Sequence, residues 1–172
     1  NKKNEGFANA NNAGAKIAKG EFLFFINPDS VITNNTIEVL LSIYNSNDQH
    51  GILAPQIKNS DGSFQFSTGK TPTISSTLFE AFGLYLFLPK TFFGYRNGLT
   101  TKFNLNVDWV TGACFIIKKE FFDILDGFDE NFFLYLEDAD LCLRIKEDLK
   151  KNIIYTTQTS IIHFKGKSSK NN

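Results

Sequence analysis

Methionine is absent from the chain, even at its first position. The sequence opens on Asn1-Lys2-Lys3-Asn4, directly before a helical pattern, as expected of a fragment whose natural sequence continues upstream. Cysteine is scarce. Cys114 and Cys142 show no C-x-x-C spacing, which excludes a disulfide framework and fits buried thiols in a reducing compartment. No apolar run approaches the ~18 residues that a membrane span needs, and no signal peptide is visible. A charge excess of either sign is missing too. Lys plus Arg and Asp plus Glu both total 18, so nothing points to nucleic acid. With neither internal repeat nor linker, residues 1–172 read as one domain, long enough to bury a real core.

What the chain does have is phenylalanine, 19 in all, which predicts a heavily aromatic core or some apolar surface. Residues 7–19 are alanine-rich, with Ala10, Ala13, Gly14, Ile17 and Ala18 on one side: a short helix packed on a sheet, with Gly20 after its end. Residues 22–26, FLFFI, form a continuous apolar run, as expected of a strand buried on both faces. That run ends at Asn27-Pro28-Asp29. Ligands of open α/β sheets collect beyond the carboxyl ends of strands, so Asp29 is a candidate, with a plain turn aspartate the alternative.

Asn35-Thr36-Ile37-Glu38 has the form of a capping box, opening a helix with Ile37, Leu40, Leu41 and Tyr44 on its face. Residues 52–57 predict a strand in which Pro55 marks an edge or a bulge. Asp61-Gly62 then turns the chain into 63–67 as a hairpin. Between 70 and 106, Ile74, Leu78, Phe82 and Leu86 recur about four apart: core, or an amphipathic helix touching a membrane or lipid-linked partner. Residues 107–118 predict a strand in which Gly112-Ala113 leaves room for close approach. A brief helix over 119–126 stops at Gly127. Short strands are expected over 153–156 and 160–163, with His163 closing the last, followed by a solvated lysine-rich tail from Lys165.

The stretch that organises the rest is 132–144, FFLYLEDADLCLR. Leu141, Ile145 and Leu149 recur at helical spacing. Asp138 lies within about 20° of Ile145 on the wheel, extending the buried stripe to the helix N-terminus. Asp140 points away and can pair with Arg144 at i,i+4. The helix dipole favours a charged Asp138 by roughly 0.3–1 kcal/mol, as suits a base, although both acids could merely cap the helix.

Several blocks occur in order: Asn4-Glu5-Gly6-Phe7-Ala8 with Asn12-Ala13-Gly14, Gly20-Glu21, Asn27-Pro28-Asp29, and Pro55 with Asp61-Gly62-Ser63. Then come Trp109-Val110-Thr111-Gly112-Ala113, Gly127-Phe128-Asp129-Glu130, Glu137-Asp138 with Asp140-Leu141 and Arg144, and His163. In this order they resemble the family 2 glycosyltransferases of the GT-A fold, most of all the rhamnosyltransferase-like enzymes of bacterial cell-surface polysaccharide assembly. The resemblance implies an α/β nucleotide-diphospho-sugar transferase fold: a mixed sheet flanked by helices, here without the first nucleotide-binding strands. It implies Mg²⁺ or Mn²⁺ as cofactor, with Asp29, the last residue of the DXD-like triplet, and His163 beside it. Asn27 replaces the first acid, leaving one carboxylate, which is tolerable because Mg²⁺ is often held by one or two carboxylates plus substrate phosphates. By the same resemblance Asp138 is the catalytic base, Glu137 helps position the acceptor, and Trp109, Gly112 and Ala113 wall the donor sugar and acceptor. Gly6, Phe7 and Asn12 match the segment beside the nucleotide, with a polar residue on a helix edge the alternative for Asn12.

The implied reaction is an inverting transfer of one sugar from a nucleotide-diphosphate donor, a dTDP- or UDP-sugar, to a glycan or lipid-linked acceptor. The implied setting is the cytoplasm, with peripheral contact at the inner face of the plasma membrane. The QxxRW motif of processive synthases is missing, which argues for single-sugar transfer. The expected weakness is nucleotide binding, since nothing before Asn1 supplies the strand and loop that grip the base. Two other readings fit the same architecture: a non-catalytic glycan-binding remnant, and a sugar nucleotidyltransferase.

Overall fold

Side chains of successive strand residues point to opposite faces of a sheet, and here both faces are apolar. The computed structural model describes residues 5–33, 35–69, 104–133 and 135–164. In chain order its elements are α1 (Gly6–Ile17), β1 (Phe22–Ile26), β2 (Ser30–Ile32), α2 (Thr36–Asn45), β3 (His50–Lys58) and β4 (Thr68–Gly69). They continue with β5 (Asn104–Val107), β6 (Trp109–Val110), β7 (Cys114–Lys118), α3 (Lys119–Ile124), α4 (Glu137–Glu147) and β8 (Asn152–His163). The main sheet runs β1-β7-β3-β8-β2, with β5 also paired to β8, while β4 and β6 pair separately. Strands β3 and β8 are parallel and the remaining pairs antiparallel, so the sheet is mixed, as expected.

Leu23, Phe25, Ile52, Ala54, Phe115, Ile117, Ile153 and Tyr155 face one side, where Ala8 and Ala15 of α1, Phe122 of α3, and Leu141, Cys142 and Ile145 of α4 cover them. Leu53, Ile116 and Ile154 face the other side and meet Leu40, Ile43 and Tyr44 of α2, with Phe22 and Phe24 at the margin. The sheet is thus sandwiched between helices. On the first face Phe128 touches Phe7, Phe25 and Phe122 at centroid distances of 5.6, 5.3 and 5.4 Å. Each such pair adds about 0.5–1.5 kcal/mol beyond area burial. The expected aromatic core is real. Both cysteines are buried, and burial pushes each thiol up to about 12, so neither serves as a nucleophile.

Local pattern misplaces several details. In α1 the buried side is Ala8, Asn12 and Ala15, whereas Ile17 is 81% exposed and Ala10, Ala13 and Gly14 face outward. The helix ends at Ile17 with Ala18 as its C-cap, before Gly20. The capping box at Asn35 does not form: Asn35 is left-handed (φ 56°) and makes no side-chain cap bond. Thr36 Oγ1 instead donates to Thr33 O at 3.0 Å, and Thr159 Oγ1 reaches Thr36 Oγ1 at 3.0 Å. Pro55 sits at a register shift in central β3, a bulge and not an edge. The hairpin after Asp61-Gly62 reduces to a turn, one Lys58–Phe64 bridge and a Gln65 N–H to Ile57 O bond of 3.0 Å.

The strand expected over 107–118 breaks into β5, β6 and β7. The two strands expected over 153–163 are one, β8, which steps from Thr156 to Ser160 while β3 steps from Pro55 to Gln56. That bulge lets β8 pair with β5 along its first half and with β2 along its second. The apolar stripe at Ile74, Leu78, Phe82 and Leu86, and the tail from Lys165, lie outside the described residues.

Candidate active site

Register fixes which end of the sheet can do chemistry. Ile26 opposite Cys114, and Ser30 opposite His163, bring the carboxyl ends of β1, β3 and β8 together with the start of β7. Asn27-Pro28-Asp29 is wedged there. Asn27 N–H donates to Ala113 O at 2.9 Å, Ser30 N–H closes the turn onto Asn27 O at 3.0 Å, and Phe164 N–H donates to Asp29 O at 2.9 Å. These bonds aim Asp29 at His163. Its Oδ1 lies 3.1 Å from His163 Nε2, and the two side chains are only 12% and 11% exposed. Asn27 Nδ2 stands 3.5 Å from the same nitrogen. On the ring's other edge, His163 Nδ1 meets the Gln65 amide.

The second cluster is built on the break between β6 and β7. Gly112 N–H donates to Asp138 Oδ2 at 2.7 Å, and Ala139 N–H donates to Asp138 Oδ1 at 2.8 Å. A Cβ on Gly112 would stand 3.1 Å from the Phe7 ring, a tight approach, and 3.6 Å from Asp138 Cβ, an ordinary contact, so the chain passes closely between them at position 112. Asp138, the second residue of α4, has both oxygens hydrogen-bonded and is half-buried. The neighbouring Ala113 carbonyl takes the Asn27 N–H, so the Asn27-Pro28-Asp29 turn and the Asp138 carboxylate are bonded to adjacent residues of one short segment, 111–113.

Helical-wheel reasoning places Asp138 on the buried stripe, and the structure corrects this. Glu137 is the buried acid, 5% exposed, while Asp138 is only half-buried. Among the described residues Glu137 Oε2 has no hydrogen-bond partner. Burial first, and then the adjacent Asp138 charge, raise the Glu137 carboxyl above its ordinary range, against a lowering contribution from its own backbone N–H. A carboxyl so raised binds more protons folded than unfolded. Stability therefore falls as pH rises through the interval between the unfolded and folded values, and the cost is complete above it. Glu137→Gln is accordingly expected to melt a few degrees above the parent at pH 8 and level with it at pH 4, as a thermal scan at both pH values would show. An advantage at pH 4 instead would contradict this. Ser30 Oγ and Ser67 Oγ are likewise buried without hydrogen-bond partners among the described residues.

The remaining expected residues serve differently. Gly6 (φ +88°) lies so close to Phe133 that a Cβ would stand 2.5 Å from its carbonyl oxygen, so Gly6 docks α1 against the loop leading to Glu137. Phe7 backs Gly112 and packs edge-on against Phe128. Asn12 is a correction. It is buried, its Nδ2 donates to Phe128 O (2.9 Å) and Glu130 Oε1 (3.0 Å), and its Oδ1 accepts Phe128 N–H (2.9 Å), so it holds the 127–130 turn and faces a separate groove with Lys16 and Arg144. Arg144 forms the expected pair with Asp140 (2.6 Å) but also donates to the carbonyls of Leu125 and Gly127, both at 2.9 Å. Trp109 sits against Gly69, accepts the Thr68 hydroxyl on its carbonyl (2.7 Å), and meets the exposed Phe66 ring at 5.7 Å. Gln65 escapes sequence reasoning. Its only local signal is its place just after the Asp61-Gly62 turn.

Comparison with known proteins identifies the family and the fold. The model of the family described as "Glycosyl transferase family 2" matches residues 1–124. The hexosyltransferase Agl10 of low-salt glycan biosynthesis in Haloferax volcanii is 29% identical over 149 residues, 84% of this chain and 44% of that protein. The N-acetylglucosaminyl-diphospho-decaprenol L-rhamnosyltransferase of Mycobacterium tuberculosis is 27% identical over 157 residues, 87% of this chain and 48% of that one. The chain thus spans about half the length of these curated relatives. Among solved structures, GalNAc-T7 with UDP, GalNAc and Mn²⁺ superposes with a TM-score of 0.66 at 17% identity, over 95% of this chain and 31% of that one, and so shares its GT-A fold. With a family match over most of its length, the chain belongs to glycosyl transferase family 2.

Proposed function

We propose that the protein is a glycosyltransferase that moves one sugar, with inversion, from a nucleotide-diphosphate donor to a glycan or lipid-linked acceptor in cell-surface polysaccharide synthesis. The observation that carries this reading is the 111–113 segment, gripped by Asp138 at its glycine and by the Asn27-Pro28-Asp29 turn at its alanine. On this reading the base and the acid that would hold a cation both lie beside that segment, beyond the strand ends where α/β sheets bind ligands.

Asp29 and His163 fit a divalent cation held largely by substrate. They offer one carboxylate and one imidazole 3.1 Å apart, and no cluster of three or more His, Cys, Asp or Glu exists among the described residues. Mg²⁺ or Mn²⁺ there would offset the charge developing on the departing diphosphate. The GalNAc-T7 structure, which was crystallised with UDP and Mn²⁺, supports this choice. A UDP- or dTDP-sugar is the donor we favour.

The chain's own residues do the rest. Gly112 and Ala139 N–H groups hold the Asp138 carboxylate in one orientation, leaving it lone pairs for an acceptor hydroxyl. Asp138 takes the hydroxyl proton as the oxygen attacks the anomeric carbon, and the carbon–oxygen bond to the diphosphate breaks with its electron pair. Attack from the face opposite the leaving group inverts the configuration. Glu137, buried beside Asp138 at the start of the same helix, shapes the acceptor side. A lipid-linked acceptor, as in the name of the mycobacterial relative, would place the protein at a membrane surface. Among the described residues no helix is long and apolar enough to cross one.

The test is a transfer assay on the full-length protein with UDP- and dTDP-sugars, glycan and prenyl-diphosphate acceptors, and Mn²⁺ or Mg²⁺. Release of nucleoside diphosphate matched by glycosylated acceptor of inverted configuration is the expected result. Retention of configuration, or no transfer with any donor, would overturn the reading.

A further inference from the structure

Two atoms of one amide lie within hydrogen-bonding reach of a single imidazole nitrogen: Gln65 Nε2 at 3.0 Å and Gln65 Oε1 at 3.3 Å from His163 Nδ1. One is a donor and the other an acceptor, so Gln65 can satisfy Nδ1 whether or not it bears the proton. The ring's opposite nitrogen, Nε2, faces the acceptor-only carboxylate of Asp29 at 3.1 Å, while the Asn27 amide stands at the limit of bonding distance, 3.5 Å. The Asp29 contact places the proton on Nε2 and leaves Nδ1 as an acceptor, which agrees with Gln65 Nε2 being the nearer atom. A ring nitrogen that binds a cation must instead offer its lone pair, and its proton then resides on the other nitrogen, held by an acceptor.

We propose that Gln65 is a positioning residue that supports His163 in either tautomer and so permits the switch between them. Its amide nitrogen donates to Nδ1 while Nε2–H bonds Asp29. A half-turn of the amide presents Oε1 to Nδ1–H and frees the Nε2 lone pair for a divalent cation. The backbone of Gln65 stays put through this change, because its N–H is anchored on Ile57 O at 3.0 Å and the side chain alone needs to turn. The cation half of this inference rests on the reading of Asp29 and His163 as a metal site, whereas the tautomer half does not.

The experiment is two-bond ¹H–¹⁵N correlation spectroscopy of the ¹⁵N-histidine-labelled full-length protein at pH 8, with the His163 signals assigned by His163→Gln. Without metal, His163 in the parent is expected as the Nε2–H tautomer. Gln65→Glu, whose carboxylate can only accept, is expected to bring a proton to Nδ1 as well, so that both ring nitrogens are protonated between two carboxylates. Gln65→Leu, with no polar atom there, is expected to keep the proton on Nε2, held by Asp29. Adding Mg²⁺ with UDP is expected to move the parent to Nδ1–H, and Gln65→Leu to bind Mg²⁺ about 10–100-fold more weakly. An Nδ1–H tautomer in the metal-free parent, or a Gln65→Glu spectrum unchanged from the parent, would overturn the proposal. Tautomers that follow Gln65 while Mg²⁺ with UDP moves no His163 signal would uphold Gln65's hold on the ring and remove the metal-site reading instead.

Discussion

Asp138→Asn is expected to lower kcat for sugar transfer by about 10²–10⁴-fold, the range over which a positioned general base acts. The carboxylate is placed for this by two backbone N–H groups, from Gly112 and Ala139, one on each oxygen. An amide in its place keeps the size, loses the base, and can accept only one of those two bonds. A stability loss of about 1–2 kcal/mol should accompany the change, the typical cost of a backbone donor left without its partner. Because Gly112 also borders the segment joined to Asn27, the KM for donor serves as the control. A large fall in kcat with donor KM nearly constant marks loss of the base, whereas a rise in KM of the same size would mean the 111–113 segment had shifted. A kcat within a few-fold of the parent would remove Asp138 from the chemistry.

Asp29→Ala should act on the other substrate. We expect the affinity for Mn²⁺ in the presence of UDP to fall at least about 100-fold, roughly 2.7 kcal/mol, because His163 would be left as the lone side-chain donor of the pair. UDP binding without Mn²⁺ should change little. The turn itself is held by backbone bonds of Asn27, Ser30 and Phe164 that the substitution leaves in place. Calorimetric titrations of Mn²⁺ and of UDP, separately and together, check this. Equal Mn²⁺ affinity in variant and parent would contradict the assignment of Asp29, and an equal loss of UDP affinity with and without Mn²⁺ would point to a collapsed turn.

What the sequence made legible were features written into short stretches of chain. The FLFFI run is a strand with the expected ends because its apolar residues face helices on both sides. The Asp140–Arg144 pair follows from helical spacing alone. The unread features depend on contacts made across the fold. Residues 107–118 read as one strand, yet it breaks at Asp108 and at 111–113, where Asp138, 26 residues later, bonds Gly112. Asn12 reads as a neighbour of the nucleotide, but its partner, Phe128, lies 116 residues away. Gln65 reaches His163 across 98 residues, and nothing around position 65 announces it. The burial order of Glu137 and Asp138 is beyond a helical wheel for the same reason: the wheel sets Asp138 on the buried stripe, whereas Glu137 is the buried acid.

The most direct test is a map of paramagnetic broadening in the amide NMR spectrum of the full-length protein titrated with Mn²⁺ and UDP. Strand β3 runs about 30 Å from one end of the sheet to the other, at roughly 3.3 Å per residue, so the two ends are readily told apart. We predict that Asp29, Gly112, Ala113, Asp138 and His163 broaden together, while Gly51, Lys118 and Asn152 at the opposite end stay sharp. Broadening of Asp29 and His163 that leaves Gly112 and Asp138 untouched, or broadening centred on the far end, would contradict a shared crevice.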